Sequence, residues 1–196
     1  MNMKTVLVLA CTALLLWAWP AQSEKQKECF KTSLHHTTRG MATWYDAHDG
    51  FSAITKIPYK ALGCKNCHTA SCNDCHLEEK DGAYAYSVAK AQRSSTCLKC
   101  HSREKATIAM DTANDSLGVH IKAGMQCADC HSAREVHGDG TCYESMRSPG
   151  AMDTACTNCH SQDSTAFTPI PQSESHVVHN DKLDCTACHV DNSMTC

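Results

Sequence analysis

The sequence predicts a mostly irregular chain of short α-helices, folded around something other than aliphatic side chains. Three observations carry this. Of the 173 residues after position 23, twenty are Leu, Ile, Val or Phe, about 12 % against the ~20 % expected of a chain that buries its own core. Of all 196 residues, 16 are cysteine and 13 histidine. Twelve of the cysteines form six Cys-x-x-Cys pairs, each followed directly by histidine. Such a chain needs staples, metals or a large apolar cofactor to hold together.

The first 23 residues stand apart. Lys4 supplies a positive start, residues 5–18 are apolar apart from threonines and Cys11, and Pro20 leads into Ala21-Gln22-Ser23. That is the pattern of a cleaved secretory signal, 1–23, and the run falls short of the ~20 apolar residues of a comfortable membrane span. The alternative is a lipoprotein signal through Val8-Leu9-Ala10-Cys11, but there the apolar run continues past the cysteine. Either way the chain is expected to be exported, to the periplasm or cell surface, where thiols do not stay free for long. Lys+Arg number 18 and Asp+Glu 21, a formal charge of −3. That supplies no basic face for a nucleic acid.

The six pairs are Cys64/Cys67 with His68, Cys72/Cys75 with His76, Cys97/Cys100 with His101, Cys127/Cys130 with His131, Cys156/Cys159 with His160 and Cys185/Cys188 with His189. With histidine at about 7 % of positions, six hits in six by chance is on the order of one in ten million, and the motif is that of covalent haem attachment. The two sulfurs form thioethers with the two haem vinyl groups. The adjacent histidine then reaches the iron as proximal ligand. Structural zinc or a disulfide framework would leave the six histidines unexplained. Six haems also answer the shortage of apolar residues: about 29 residues per haem leaves room for a short helix and a loop, with the haem stack as core. Their propionates make the loaded protein more acidic than its sequence.

Motif starts are separated by 8, 25, 30, 29 and 29 residues. The last four therefore read as a duplicated unit, whereas the interval of 8 holds two haems almost in contact. Three regions follow: the signal 1–23, an N-terminal haem-packing segment 24–63 and a haem-binding region 64–196. Helices are expected over 83–93 and 104–112 and an extended loop over 164–175, around Pro169 and Pro171. No strand is long enough to anchor a sheet. Phe30, Trp44, Tyr45, Phe51 and Tyr59 are expected to pack on the first haem pair.

Seven histidines lie outside the motifs: His35, His36, His48, His120, His137, His176 and His179. Six are candidate distal ligands, namely His35, His36, His120, His137, His176 and His179, with His35 and His36 competing for one place. His48, between Asp46 and Asp49, reads better as an exposed charge partner. Chain reach lets any of them serve a neighbouring haem, so the sequence assigns no pairings. Met110 and Met125 are read as buried gap-filling thioethers rather than axial ligands. Cys29 and Cys142 are a candidate disulfide, with connectivity left open. The spacing around Cys196 matches the start of a seventh motif, a free thiol or disulfide partner being the alternative.

Six such motifs behind an export signal resemble the multihaem c-type cytochromes of anaerobically respiring bacteria. The stretch Ser33-Leu34-His35, Gly40-Met41, Trp44-Tyr45, Ile57-Pro58-Tyr59 and Cys64-Lys-Asn-Cys67-His68 is similar to the opening of larger members, including relatives of the octahaem reductases. The resemblance implies a multihaem cytochrome architecture of short helices around stacked haems. It also implies electron transfer between a quinol-linked donor and a terminal acceptor, within a membrane-associated complex or oligomer. The chain departs from the family's enzymes in carrying no Cys-x-x-Cys-Lys motif. Two functions are therefore expected to compete. One is an electron carrier with its irons closed by two histidines each. The other is a reductase of a small inorganic substrate at one open iron.

Overall fold

The computed structural model describes residues 27–63, 68–161, 163, 167, 169–179 and 182–190. The expected leader, the first motif's Cys64 and Cys67, and Cys196 lie outside the described residues. The chain divides into two compact units. One holds the described residues up to Asp74 together with Ser132–Asp153; the other holds Cys75–His131 and the residues from Thr154 on. The division runs through the second motif, between Asp74 and Cys75.

The first unit is built from short helices because its sequence keeps interrupting itself. Residues 27–32 are helical, and Ser33 then takes an extended backbone, its Oγ accepting the His36 N–H at 3.1 Å to start Leu34–Thr37. Thr38, at φ 54, ends that helix and begins Arg39–Tyr45. Arg39 Nη1 donates to the Tyr143 carbonyl at 3.1 Å and Thr43 Oγ1 to that of Glu144 at 2.9 Å, tying this helix to the 132–153 segment. Phe51–Thr55 and the 3₁₀ turn Tyr59–Ala61 follow. Gly50 is required between them and Arg39–Tyr45, since a Cβ there would lie 2.5 Å from the carbonyl oxygens of both Trp44 and Tyr45. Ala133–His137 packs on Leu34–Thr37. Arg134 joins Asp153 and Asp139 into a clasp across the segment, with Ser132 and Glu135 also bonded to Asp153.

The second unit opens on a hairpin, Leu77–Lys80 against Ala83–Tyr86, antiparallel with Leu77 opposite Tyr86 and Lys80 opposite Ala83. This corrects the helix expected over 83–93. Asp81 and Gly82 both take positive φ, 55 and 78, the mirror-image turn that Asp-Gly favours, and Ala-Tyr-Ala-Tyr alternates with period two. The helix begins only at Val88, once the Ser87 Oγ accepts the Lys90 N–H at 3.0 Å, and it ends at Gln92. Ser94–Cys97 follows, then Ser102–Ala113, which contains the helix expected over 104–112. Val119–Lys122, Cys127–Cys130, the 3₁₀ turn Cys156–Asn158, Glu174–His179 and Thr186–His189 complete the unit. The loop expected to run to Ser175 stops at Ser173, whose carbonyl takes the Val177 N–H at 2.9 Å and starts Glu174–His179.

Packing is sparse among the described residues. Among the described residues only Tyr59 and Ala151 are buried apolar side chains, and none is fully enclosed. Tyr59 is 4 % exposed, its N–H held by Asp46 Oδ1 at 3.0 Å. Its ring meets Tyr45, which in turn meets Phe51, while Trp44 lies under Arg147. Met110 is 54 % exposed and so is not the buried filler expected of it. Cys29 and Cys142 are both free thiols rather than the suggested disulfide. No helix of the described residues is long and apolar enough to cross a membrane.

Candidate haem-binding site

Four of the described motifs share one local shape. In the third to sixth, the backbone N–H of the motif histidine donates to the carbonyl of the first cysteine, at 3.1 Å for His101, 3.0 Å for His131, 2.8 Å for His160 and 3.0 Å for His189. One helical turn of this kind sets residues i and i+3 on the same face. Both sulfurs of a pair are thereby presented together, with the histidine following at once. Helical starts explain why the turn forms. Asp129 Oδ2 accepts the Gln126 N–H at 2.7 Å ahead of Cys127–Cys130, and Asp74 Oδ2 takes the Ala70 and Ser71 N–H groups at 3.0 and 3.3 Å ahead of Asn73–His76. The described motif cysteines, Cys72, Cys75, Cys97, Cys100, Cys127, Cys130, Cys156, Cys159, Cys185 and Cys188, are all free thiols.

Successive motifs are braced to one another in the second unit. The Ser94 N–H donates to Gln126 Oε1 at 2.9 Å, and the Cys127 N–H returns to Ser94 Oγ at 3.1 Å, joining the third motif's helix to the fourth's. Thr154 Oγ1 donates to the Cys130 carbonyl at 2.9 Å, joining the fourth to the start of the fifth. The sulfurs follow the braces. Burial pushes the Cys97 thiol above its usual range, and the Cys127 thiol hydrogen-bonded to it adds to the shift. Burial does the same to Cys156, reinforced by Cys185 beside it.

The histidines are oriented from behind. His36 Nδ1 sits 3.2 Å from the Thr69 carbonyl and His137 Nδ1 2.9 Å from that of Ala133. A carbonyl only accepts, so each Nδ1 donates, and Nε2 is the ring atom that would meet a metal. His176 Nδ1 is 2.8 Å from Ser173 Oγ, and the motif histidine His131 has Nδ1 3.2 Å from Thr154 Oγ1. His101 Nδ1 lies 3.7 Å from Glu104. The Phe30 ring meets both His36 and His137, at 5.3 and 6.5 Å between centroids.

His120 and His176, both distal candidates, each stand opposite a motif histidine. His120 and His160 have ring centroids 5.8 Å apart with planes at 51°; His176 and His189 are 5.9 Å apart at 17°. His35 lies in the same short helix as His36, its carbonyl taking the Thr69 N–H at 2.9 Å. His179 ends Glu174–His179, its carbonyl taking the Lys182 and Leu183 N–H groups at 3.1 Å. His48 is exposed. The residues fit haem: two sulfurs and a histidine on one turn, and further histidines of which His36, His137 and His176 are held on the Nδ1 side. Among the described residues no three His, Cys, Asp or Glu side chains converge as a protein-only metal site requires, whereas a haem iron asks the chain for two. The supporting Thr69, Thr154, Ser173 and Ser94 were not expected from the sequence; the Ser-x-x-His spacing of Ser173 and His176 could have signalled one of them. No family model matches the chain, and no solved structure matches it.

Proposed function

We propose that the chain is an exported multihaem c-type cytochrome that carries electrons through six covalently bound haems in anaerobic respiration. The repeated one-turn motif geometry, with non-motif histidines set opposite motif histidines, carries this reading. The cysteine pairs from Cys64/Cys67 to Cys185/Cys188 would hold the haems, and His68, His76, His101, His131, His160 and His189 would be the proximal ligands. His35 or His36, with His120, His137, His176 and His179, would supply distal ligands. Haem held by these residues would supply one-electron, ferric/ferrous chemistry. The chain's residues do the rest. Carbonyls at Thr69 and Ala133 and hydroxyls at Ser173 and Thr154 fix ring orientation, and a second histidine on an iron closes it to substrate. The expected partners are a quinol-linked donor and a terminal acceptor, met in the periplasm or at the cell surface. Matured in a host with haem-attachment machinery, the protein should gain six haem masses that survive denaturation; fewer than five overturns the reading.

A second reading, reduction of a small inorganic substrate, rests on His48. It is exposed, and its neighbour Asp46 is engaged by the Tyr59 N–H, so without it, and with one of His35 and His36 serving, five distal ligands face six irons. Carbon monoxide decides between the readings: the ferrous wild type should bind almost none as a carrier and about one per six haems as a reductase.

A further inference from the structure

His120 lies seven residues before Cys127, so sequence proximity gives it to the fourth motif. The structure puts it elsewhere. Its ring faces His160 of the fifth motif, 5.8 Å away between centroids, although the fourth motif lies between the two in the chain. His176 faces His189 of the sixth at 5.9 Å. Aromatic rings in ordinary contact span roughly 4.5–7 Å, so separation alone does not distinguish ligands from neighbours. The identities do. In each pair one ring is the motif histidine and the other is one of the few histidines outside the motifs, and this happens twice, at unrelated positions. With metal–imidazole bonds of ~2.0 Å on either side, two rings facing one metal ion hold their centroids ~6 Å apart. His176 is also held on its Nδ1 side by Ser173 Oγ at 2.8 Å, which leaves Nε2 to the metal.

We propose, resting on the haem reading above, that His120 is the distal ligand of the fifth haem, bypassing the fourth, and that His176 is the distal ligand of the sixth. Each proximal partner is the histidine it faces, His160 and His189. The two ring pairs differ in the angle between their planes, 51° and 17°, so the two irons give different low-spin signals.

The test is epistatic and uses the full-length holoprotein. His120→Leu should leave six haems attached, turn one iron of six high-spin in low-temperature EPR, and bind one carbon monoxide per chain when reduced. The same substitution in a Cys156→Ser, Cys159→Ser background, which carries five haems, should add no high-spin iron and no carbon monoxide site. His176→Leu should behave alike, with its effect abolished by Cys185→Ser, Cys188→Ser, and should remove a different low-spin signal. His120→Met guards against a variant that does not fold: it keeps the iron six-coordinate and should raise the potential of one haem, an effect absent in the Cys156→Ser, Cys159→Ser background. An iron opened by His120→Leu in the five-haem background too would overturn the pairing and hand His120 to another haem. Spectra that stay fully low-spin in His120→Leu overturn its ligand role. Both results leave six haems attached and so are distinct from failure of the haem reading, which would appear as missing haem mass in the wild type.

Discussion

Gly138 offers a direct measure of how the first unit is held together. It follows His137 at φ 76 and ψ 173, a backbone region open essentially to glycine, where a side chain costs about 1–3 kcal/mol. A Cβ there would lie 2.8 Å from the Cys29 carbonyl oxygen and 3.2 Å from Ser33 Cα and Cβ. These are backbone-anchored atoms, so the 29–33 segment itself must move, adding about 1–3 kcal/mol of overpacking. Gly82 is the control: its φ is 78, yet a Cβ there meets nothing within 4 Å, leaving a conformational cost of about 1–2 kcal/mol. Gly138→Ala should therefore lose roughly 2–6 kcal/mol. For a chain of this length each kcal/mol moves the melting midpoint by about 2–4 °C. The assay is thermal unfolding of the holoprotein followed by circular dichroism, with limited proteolysis to locate the loosened segment at 27–37 and 133–138. If Gly138→Ala melts no lower than Gly82→Ala, the close approach of the two segments is wrong.

The remaining predictions address the braces, the clasp and the core. Ser94→Ala and Gln126→Leu each remove one bond between the third and fourth motifs and should each cost about 0.5–1.5 kcal/mol. Their double mutant should cost less than the sum, and strict additivity in denaturant titrations would count against the brace. The backbone N–H of Thr141, with the Tyr143 hydroxyl and Arg134, holds Asp139 down to about 2 from 3.8, and Arg134 with Ser132 lowers Asp153 as well. A depressed carboxylate stabilises the fold above its unfolded value and stops doing so as pH falls through the folded one. Hydrogen-exchange protection of 132–153 should thus be constant above pH ~4 and fade toward pH ~2, with the step reduced in Asp139→Asn; unchanged protection at pH ~2 would dismiss the clasp. With about 12 % large apolar residues, a variant with all motif cysteines replaced by serine should stay disordered; a cooperative thermal transition would refute this.

What the sequence made legible was local. The Cys-x-x-Cys-His turn is an i to i+4 event, and its hydrogen bonds at His101, His131, His160 and His189 are set by five residues each. The helix over 104–112 was readable for the same reason. The error at 83–93 was also local: helix-forming Ala and Lys outweighed the Asp81-Gly82 turn and the Tyr84/Tyr86 alternation, which carry the hairpin. What stayed illegible depends on residues far apart in the chain. Gln126 reaching Ser94, Thr69 behind His36, and Arg39 at the Tyr143 carbonyl join positions that no periodicity links. The sparse burial was implied by composition, but that Tyr59 would be the buried aromatic while Trp44 and Phe51 stay exposed was not.

The same division separates the two kinds of histidine. A motif histidine is placed by its own cysteines, five residues of chain closing on themselves. A distal histidine has to be brought from elsewhere, and the entropy of that closure grows with the logarithm of the loop. Joining His120 to His160 closes 40 residues and joining His176 to His189 closes 13, so the first costs about 1 kcal/mol more than the second. In an ordinary domain apolar burial would offset that cost, but among the described residues only Tyr59 and Ala151 are buried apolar side chains. On the proposed reading the bond from iron to distal histidine offsets it, and the axial ligands are the long-range contacts of the fold as well as the seals on the irons. Losing His120 should then loosen the chain at both ends of its loop. Hydrogen exchange in His120→Leu should rise at 119–122 and at 156–161 together, while His176→Leu should affect only 174–190. A His120→Leu protein that exchanges like wild type would mean that this fold is held by contacts other than its distal histidines.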